Sequence, residues 1–246
     1  MSDRGLDRGQ LPLLVLWDVD HTLIENGGVS KEAYSYAFEL LVGRPPEIAP
    51  ATDGRVDPGI MNDLFVANGV ELTPELAEEA LRVLPRALEA KVPRLRELGH
   101  ALPGAREALE TLSREAGIVQ TVLTGNIRVN GYTKLATFGL HQHLDFSIGG
   151  FGDDDPVRSN LVGVARRKAS AKLGLTFTEG TTVLIGDTPR DVQAGRVGGA
   201  YVIGVATGPA TVAELLAEGA DVALPDLRDT SAVVDAVRGA RAHVAG

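Results

Sequence analysis

Two acids, Asp18 and Asp20, end the aliphatic run Leu13-Leu14-Val15-Leu16-Trp17. So short a run with no polar alternation reads as a strand buried on both faces. Carboxylates at its end cost desolvation free energy unless a cation or donors meet them, and the carboxyl ends of strands in open α/β sheets are where ligands bind. Residues i and i+2 of an extended segment face the same side, so both acids can address one ligand. For a single Asp, a turn or a helix cap is an equally good account. Leu123-Thr124-Gly125-Asn126 offers a hydroxyl and a backbone amide at a second strand end feeding a helix, an arrangement that holds anionic oxygens, although alone it is also a turn with an N-cap. Gly186-Asp187-Thr188-Pro189-Arg190-Asp191 places an acid after a third aliphatic run and another about one helical turn later, where Asp191 also suits a helix's first turn.

The elements that must position these residues follow from periodicity. After Leu23 the next strand is expected only near Ile118, and the stretch between is helical. Residues 30–42 form one amphipathic helix with Ser30 as N-cap. Asp57-Pro58 opens a second, with Pro58 at the first helical position, ending near Gly69. Thr73-Pro74 opens a third that reaches Leu98-Gly99, with a kink or break expected at Pro85. So much helix between two strands makes a subdomain rather than a loop. Gly27-Gly28 and residues 99–104 are candidate hinges where the chain crosses into and out of it. From Leu102 the pattern alternates: helix 105–116, strand 118–123, helix 127–138, short strand 145–148, helix 157–173, strand 181–185, helix 190–197, strand 201–205, helix 212–217, edge strand 221–224 and helix 231–238. That alternation predicts an α/β fold built on a mainly parallel sheet.

At 246 residues the chain can build a full core without staples, and it has no cysteine, which excludes disulfides and thiolate metal sites. Its start is polar and the following apolar run is too short for a signal core or a membrane span, so the protein is expected to be soluble and cytoplasmic. A net charge of −9 argues against nucleic acid or an anionic membrane as partner, but not against a small anion met by local amides, a metal and one or two bases. Residues 1–10 and 239–246 are expected to be loosely ordered. His141-Gln142-His143 reads as a solvated turn rather than a metal site, Asp153-Asp154-Asp155 as an exposed loop, and Arg44, Arg55, Lys91 and Arg94 as surface bases of the helical insertion.

Asp18-Val19-Asp20-His21-Thr22-Leu23 resembles the first signature of the haloacid dehalogenase superfamily, Leu123-Thr124-Gly125-Asn126 the second and Gly186 to Asp191 the fourth, with Arg158 available as the basic third, all in the family's order. The resemblance implies a HAD-like Rossmannoid core formed by residues 1–25 and 101–246, the Asp18 strand central, with an all-helical C1 cap inserted over residues 26–100. Gly54-Arg55-Val56-Asp57 resembles a Gly-x-Thr-Asp pattern of such caps, Val replacing Thr. It further implies an Mg²⁺-dependent phosphatase, most like the phosphoglycolate phosphatase branch, acting on a small phosphorylated metabolite as a monomer or homodimer. Asp18 would be the nucleophile that forms an aspartyl-phosphate, and Asp20 the general acid and then base. Thr124, Gly125, Asn126 and Arg158 would hold the phosphate. Asp18, the backbone carbonyl of Asp20, and Asp187 would hold Mg²⁺, with Asp191 orienting a metal-bound water or the basic residue. An acid at Asp20 excludes carbon–halogen cleavage, because dehalogenases proper lack one there. A phosphomutase of the β-phosphoglucomutase type shares the four signatures. A receiver-like signalling module clusters similar groups but is about half this length and has no helical insertion.

Arg158 is preferred to Lys134 and Lys168 as the third-signature base by position. Lys134 lies about eight residues past the helix start near Asn126, or ~12 Å along the axis, and Lys168 is displaced by ~15 Å. Arg158, just after Pro156-Val157, stands at the carboxyl edge of the sheet, and its fork can bond a carboxylate and a phosphate oxygen together.

Overall fold

The computed structural model describes residues 11–52 and 54–243. Its centre is strand β1, Leu13–Trp17, every residue of which is buried. β1 pairs in parallel with β4, Ile118–Val122, on one side and with β5, Thr182–Gly186, on the other. β6, Tyr201–Val205, and β7, Val222–Leu224, extend the sheet in the order β4-β1-β5-β6-β7, all parallel. Alternation along β1 divides the core. Leu13, Val15 and Trp17 pack with Ala105, Leu109 and Leu112 of α4 (Ala105–Arg114) and with Val233 and Val237 of α9 (Thr230–His243). Leu14 and Leu16 pack on the opposite face with Leu161, Val162 and Ala165 of α6 (Asn160–Leu173) and Ala194 of α7 (Pro189–Gly198). A sheet covered on both faces must be apolar on both, which is why β1 has no polar residue. The Trp17 indole satisfies its N–H on Gln120 Oε1 at 3.0 Å.

Helices α1 (Val29–Val42), α2 (Asp57–Ala67) and α3 (Pro74–Leu98) share an apolar cluster of their own, with Phe38, Phe65, Met61 and Leu84 at its heart and Ile127 entering from below. Two-residue antiparallel strands, β2 (Ile24–Glu25) and β3 (His100–Ala101), pair where the chain enters and leaves this layer. Among the described residues no helix is long and apolar enough to cross a membrane.

Several expectations are corrected. The chain does not wait until Ile118 for further strand, because β2 and β3 pair at the crossing; two residues apiece leave no periodicity to read. Residues 145–148 form no strand: the Asp145 carboxylate accepts from Ser147 N and Oγ at 3.0 and 2.7 Å, a local turn that competes with extended pairing. Only an isolated bridge, Leu123 to Gly150, remains on that edge, so β1 is an interior strand rather than the central one and β5 takes the middle. α3 runs unbroken through Pro85 and Pro93, its buried stripe of Ala80, Leu84, Ala87 and Leu88 held by the packed layer although each proline removes a ladder bond. Ser30 does not cap α1; Gly28, at φ 80°, does so with no side-chain bond. The expectation of loose ends at residues 1–10 and 244–246 falls outside the described residues, whereas α9 continues past Gly239 to His243.

Candidate active site

β1 ends at Trp17, and Asp18 is the first residue beyond it, its N–H bonded to Ile185 O at 2.9 Å so that β5 sets its position. The chain then turns tightly: His21 takes a left-handed φ of 61°, and Leu23 N returns to Val19 O at 3.0 Å. Asp20 therefore is not in a strand, yet it and Asp18 line one cavity of about 50 Å³, together with Thr124, Gly125, Asn126, Arg158 and Asp187. Thr124 and Asn126 follow β4 and precede α5 (Arg128–Thr137); Asp187 follows β5; Asp191 lies in the first turn of α7. Arg158 reaches in from the turn two residues before α6.

The guanidinium of Arg158 donates to Asp18 Oδ1 at 2.6 Å and to Asp191 Oδ1 at 2.5 and 3.1 Å. Asp191 Oδ2 is taken by Thr188 N and Oγ1 at 3.0 and 2.6 Å, so both its oxygens are committed. Asp187 accepts from Thr22 Oγ1 at 3.0 Å on Oδ1, while its buried Oδ2 has no partner. Burial pushes the Asp18 carboxyl up to about 7 against the pull of Arg158, with Asp191 and Asp20 adding repulsion. Burial likewise raises Asp187 well above the carboxylate range, reinforced by Asp191 and Asp18. Oxygens of Asp18, Asp187 and Asp191 lie within 4.8 Å of one another. Three carboxylates against one guanidinium, one of them with an orphaned buried oxygen, suit a hard divalent cation. Asp191's oxygens are spent on Arg158 and Thr188, whereas one Asp187 oxygen is uncommitted.

Lys134 is a correction. Its Nζ donates to Asp20 Oδ1 and Oδ2 at 2.9 and 2.7 Å and to Asn126 Oδ1 at 2.6 Å, with its side chain only 3% exposed. Axial distance was the wrong measure. α5 starts at Arg128, two residues past the Asn126 from which that distance is counted, and helical side chains lean toward the N-terminus, so a long Lys about two turns in reaches back to the sheet edge. Asp20 also accepts from Asn26 Nδ2 at 2.7 Å and Asn126 Nδ2 at 2.8 Å. Burial pushes its carboxyl up, but the Lys134 charge and these bonds outweigh burial and hold it below its usual value. Lys168 instead bonds Gly149 O and Asp154, away from the cavity.

Three further residues escaped sequence reading. Asp57, read as a helix start and as the last residue of the Gly-x-Thr-Asp-like stretch but given no role in the site, is 1% exposed; it accepts from Tyr34 Oη at 2.5 Å and Ile127 N at 2.9 Å, and its own N–H donates to Gly125 O at 2.8 Å. Burial raises its carboxyl to about 6. Asn26 and Tyr34 stand beside it on the same wall. The available signal was Asn26, Ser30 and Tyr34 at every fourth residue directly after the acids. His141 and His143 lie in a 3₁₀ turn, and among the described residues the aspartate cluster is the one group of acids and histidines placed to share an ion.

Comparisons agree with this geometry. A family model described as haloacid dehalogenase-like hydrolase matches residues 15–196. Among solved structures, a hydrolase from Pseudomonas syringae is similar at 24% identity and TM-score 0.64, covering 91% of this chain and 98% of that one. A protein described as a β-phosphoglucomutase from Bacteroides vulgatus follows at 22% identity and TM-score 0.67, covering 94% and 90%. A predicted phosphatase from Clostridium acetobutylicum is 19% identical with TM-score 0.66, covering 92% and 100%. No curated protein sequence matches significantly. The five-stranded parallel sheet carrying four acids at its carboxyl edge, and a family model spanning three of its strands, place the chain among the haloacid dehalogenase-like hydrolases.

Proposed function

We propose that this hydrolase is an Mg²⁺-dependent phosphatase that cleaves a small phosphomonoester through an aspartyl-phosphate on Asp18. The observation that carries the reading is the convergence of Asp18, Asp20, Thr124 and Arg158 on one cavity beside an Asp187 oxygen with no partner. Asp18 and Asp187, with the Asp20 carbonyl, would hold Mg²⁺, which when bound neutralises charge on the phosphoryl oxygens. Asp18 attacks phosphorus and the ester oxygen leaves; Asp20, ionised at rest beside Lys134, takes up the proton of the monoprotonated phosphate ester and delivers it to that oxygen. Water then displaces the Asp18 carboxylate from phosphorus, its proton passing to Asp20. Lys134, Asn26 and Asn126 fix where the Asp20 carboxylate points. Arg158 balances the charge of Asp18 and is placed to meet a phosphoryl oxygen. Residues 26–100 act as the cap, seated on the core through Asp57. Release of inorganic phosphate from small esters, dependent on Mg²⁺ and abolished by EDTA, tests the reading. Beryllium fluoride should bind the wild type and not Asp18→Asn. Phosphatase activity surviving in Asp18→Asn, or isomerised sugar phosphate without phosphate release, would overturn it.

A further inference from the structure

The cavity is roofed by α1, Thr52 and residues 54–60, and the roof is unequal in its hydrogen bonding. Asn26 commits its amide nitrogen to Asp20 and its oxygen to Gly28 N at 2.9 Å, and Tyr34 commits its hydroxyl to Asp57. Ser30, one turn from each, is 7% exposed and its Oγ, buried in the cavity wall, has no partner. It is not a cap either, because Gly28 fills that position. A buried hydroxyl left unmet costs free energy, so one that faces a ligand cavity is placed for a ligand oxygen.

Charge narrows what that oxygen belongs to. Among the described residues, three groups able to carry positive charge line the cavity: Arg158, held by Asp18 and Asp191, Arg55, engaged by Asp63, and His21, bonded to Glu25. The roof itself adds the carboxyl of Asp57. A leaving group with its own carboxylate or a second phosphate would face that acid with no uncommitted cation, whereas a neutral hydroxyl can both donate to and accept from Ser30.

Resting on the phosphatase reading, we propose that Ser30 reads the leaving group, and that this group is a small uncharged alcohol carrying a further hydroxyl, the chemistry of a polyol phosphate. Steady-state kinetics on glycerol 3-phosphate, n-propyl phosphate, phosphoglycolate and p-nitrophenyl phosphate test it. Wild type should favour glycerol 3-phosphate over n-propyl phosphate in kcat/KM by about tenfold, the scale of one hydrogen bond, and over phosphoglycolate by more. Ser30→Ala, which deletes only an unpartnered hydroxyl, should collapse the first ratio toward one; Lys31→Ala, an exposed neighbour, should leave it and the overall rate unchanged. A ratio near one in wild type, or one that survives Ser30→Ala, overturns the role of Ser30. Preference for phosphoglycolate that disappears in Arg55→Ala overturns the neutral leaving group while leaving the phosphatase reading standing. No turnover of any ester, p-nitrophenyl phosphate included, overturns both.

Discussion

At the scale of single residues, the two basic groups divide the acids between them. Arg158 holds Asp18 and Asp191, and Lys134 holds Asp20. Their substitutions should therefore fail differently. Arg158→Lys should keep part of the activity, since one ammonium cannot bridge Asp18, Asp191 and a phosphoryl oxygen as the planar fork does, and Arg158→Ala should lower kcat by ~10²–10³-fold. Lys134→Ala should also be damaging, contrary to what its distance along α5 suggests. It leaves Asp20 on two neutral amides, so kcat should fall by ~10-fold or more, with the larger loss on alkyl esters. Equal activity of Lys134→Ala and wild type on an alkyl ester would remove Lys134 from the site. Asp20→Asn should retain the most activity on p-nitrophenyl phosphate, because general acid catalysis, typically worth ~10²–10⁴-fold, matters least for a leaving group that needs no proton. Uniform loss across leaving groups would deny Asp20 that role.

Among elements, the contact that matters most is the seat of residues 54–57 on the loop between β4 and α5. Asp57 ties three groups of both layers together, and Gly125 permits the approach: a Cβ on it would lie 1.9 Å from Arg55 O. Gly125→Ala should therefore push the helical layer off the core instead of merely trimming a phosphate donor. Small-angle scattering of that variant should show an expanded particle, with KM raised more than kcat is lowered. An unchanged scattering profile with normal KM would show that the seat is not part of the closed state. Asp57→Ala leaves Ile127 N and Tyr34 Oη without their acceptor, at a cost of about 2–3 kcal/mol for lost bonds to a carboxylate. Chemical denaturation measures it, and a loss below about 0.5 kcal/mol would mean water replaces the carboxylate.

For the whole molecule, the crowded carboxyls tie stability to pH and to cations. Asp18 ionises near 7 and Asp57 near 6 when folded, against 3.8 for an ordinary aspartate. Between pH about 4 and about 7 the folded state thus holds more protons than the unfolded one, and stability falls as pH rises through that window. Asp20, held low by Lys134, has the opposite sign and costs stability only as pH falls into the acid range. Without metal, Tm should therefore decline from pH 5.5 to pH 8. Mg²⁺ should raise Tm more at pH 8 than at pH 5.5, because at pH 8 Asp18 has already lost its proton; at 100 times Kd the gain is about 2.7 kcal/mol. A Tm that rises with pH in EDTA, or Mg²⁺ that has no effect at pH 8, would contradict this account.

What the sequence determined by itself was whatever is encoded locally. The unbroken aliphatic run of β1 could only be a strand covered on both faces, an acid after each of two such runs had to fall at one sheet edge, and the spacing of strand and helix patterns forced parallel connections. Arg158 was legible because it follows a proline just before a helix, on the right edge. What only the tertiary structure decided depends on side-chain reach and on contacts between segments far apart in the chain. Lys134 bonds Asp20 across 114 positions, a pairing that turns on where α5 starts and how far its side chain reaches back, which no periodicity records. Asp57 read as a helix start and part of a cap pattern; that Tyr34 Oη of α1 and Ile127 N, just before α5, both meet its carboxylate is settled only by the packing. Residues 145–148 had strand-like composition, but the Asp145 turn with Ser147, tied down by Lys172, took precedence over pairing at an open edge. Ser30 had the residue type of a cap, but Gly28 takes that position at positive φ, and the Ser30 hydroxyl is left buried without a partner. Backbone patterning is a property of neighbours in sequence; which polar groups satisfy one another in a buried site is settled only when the layers close.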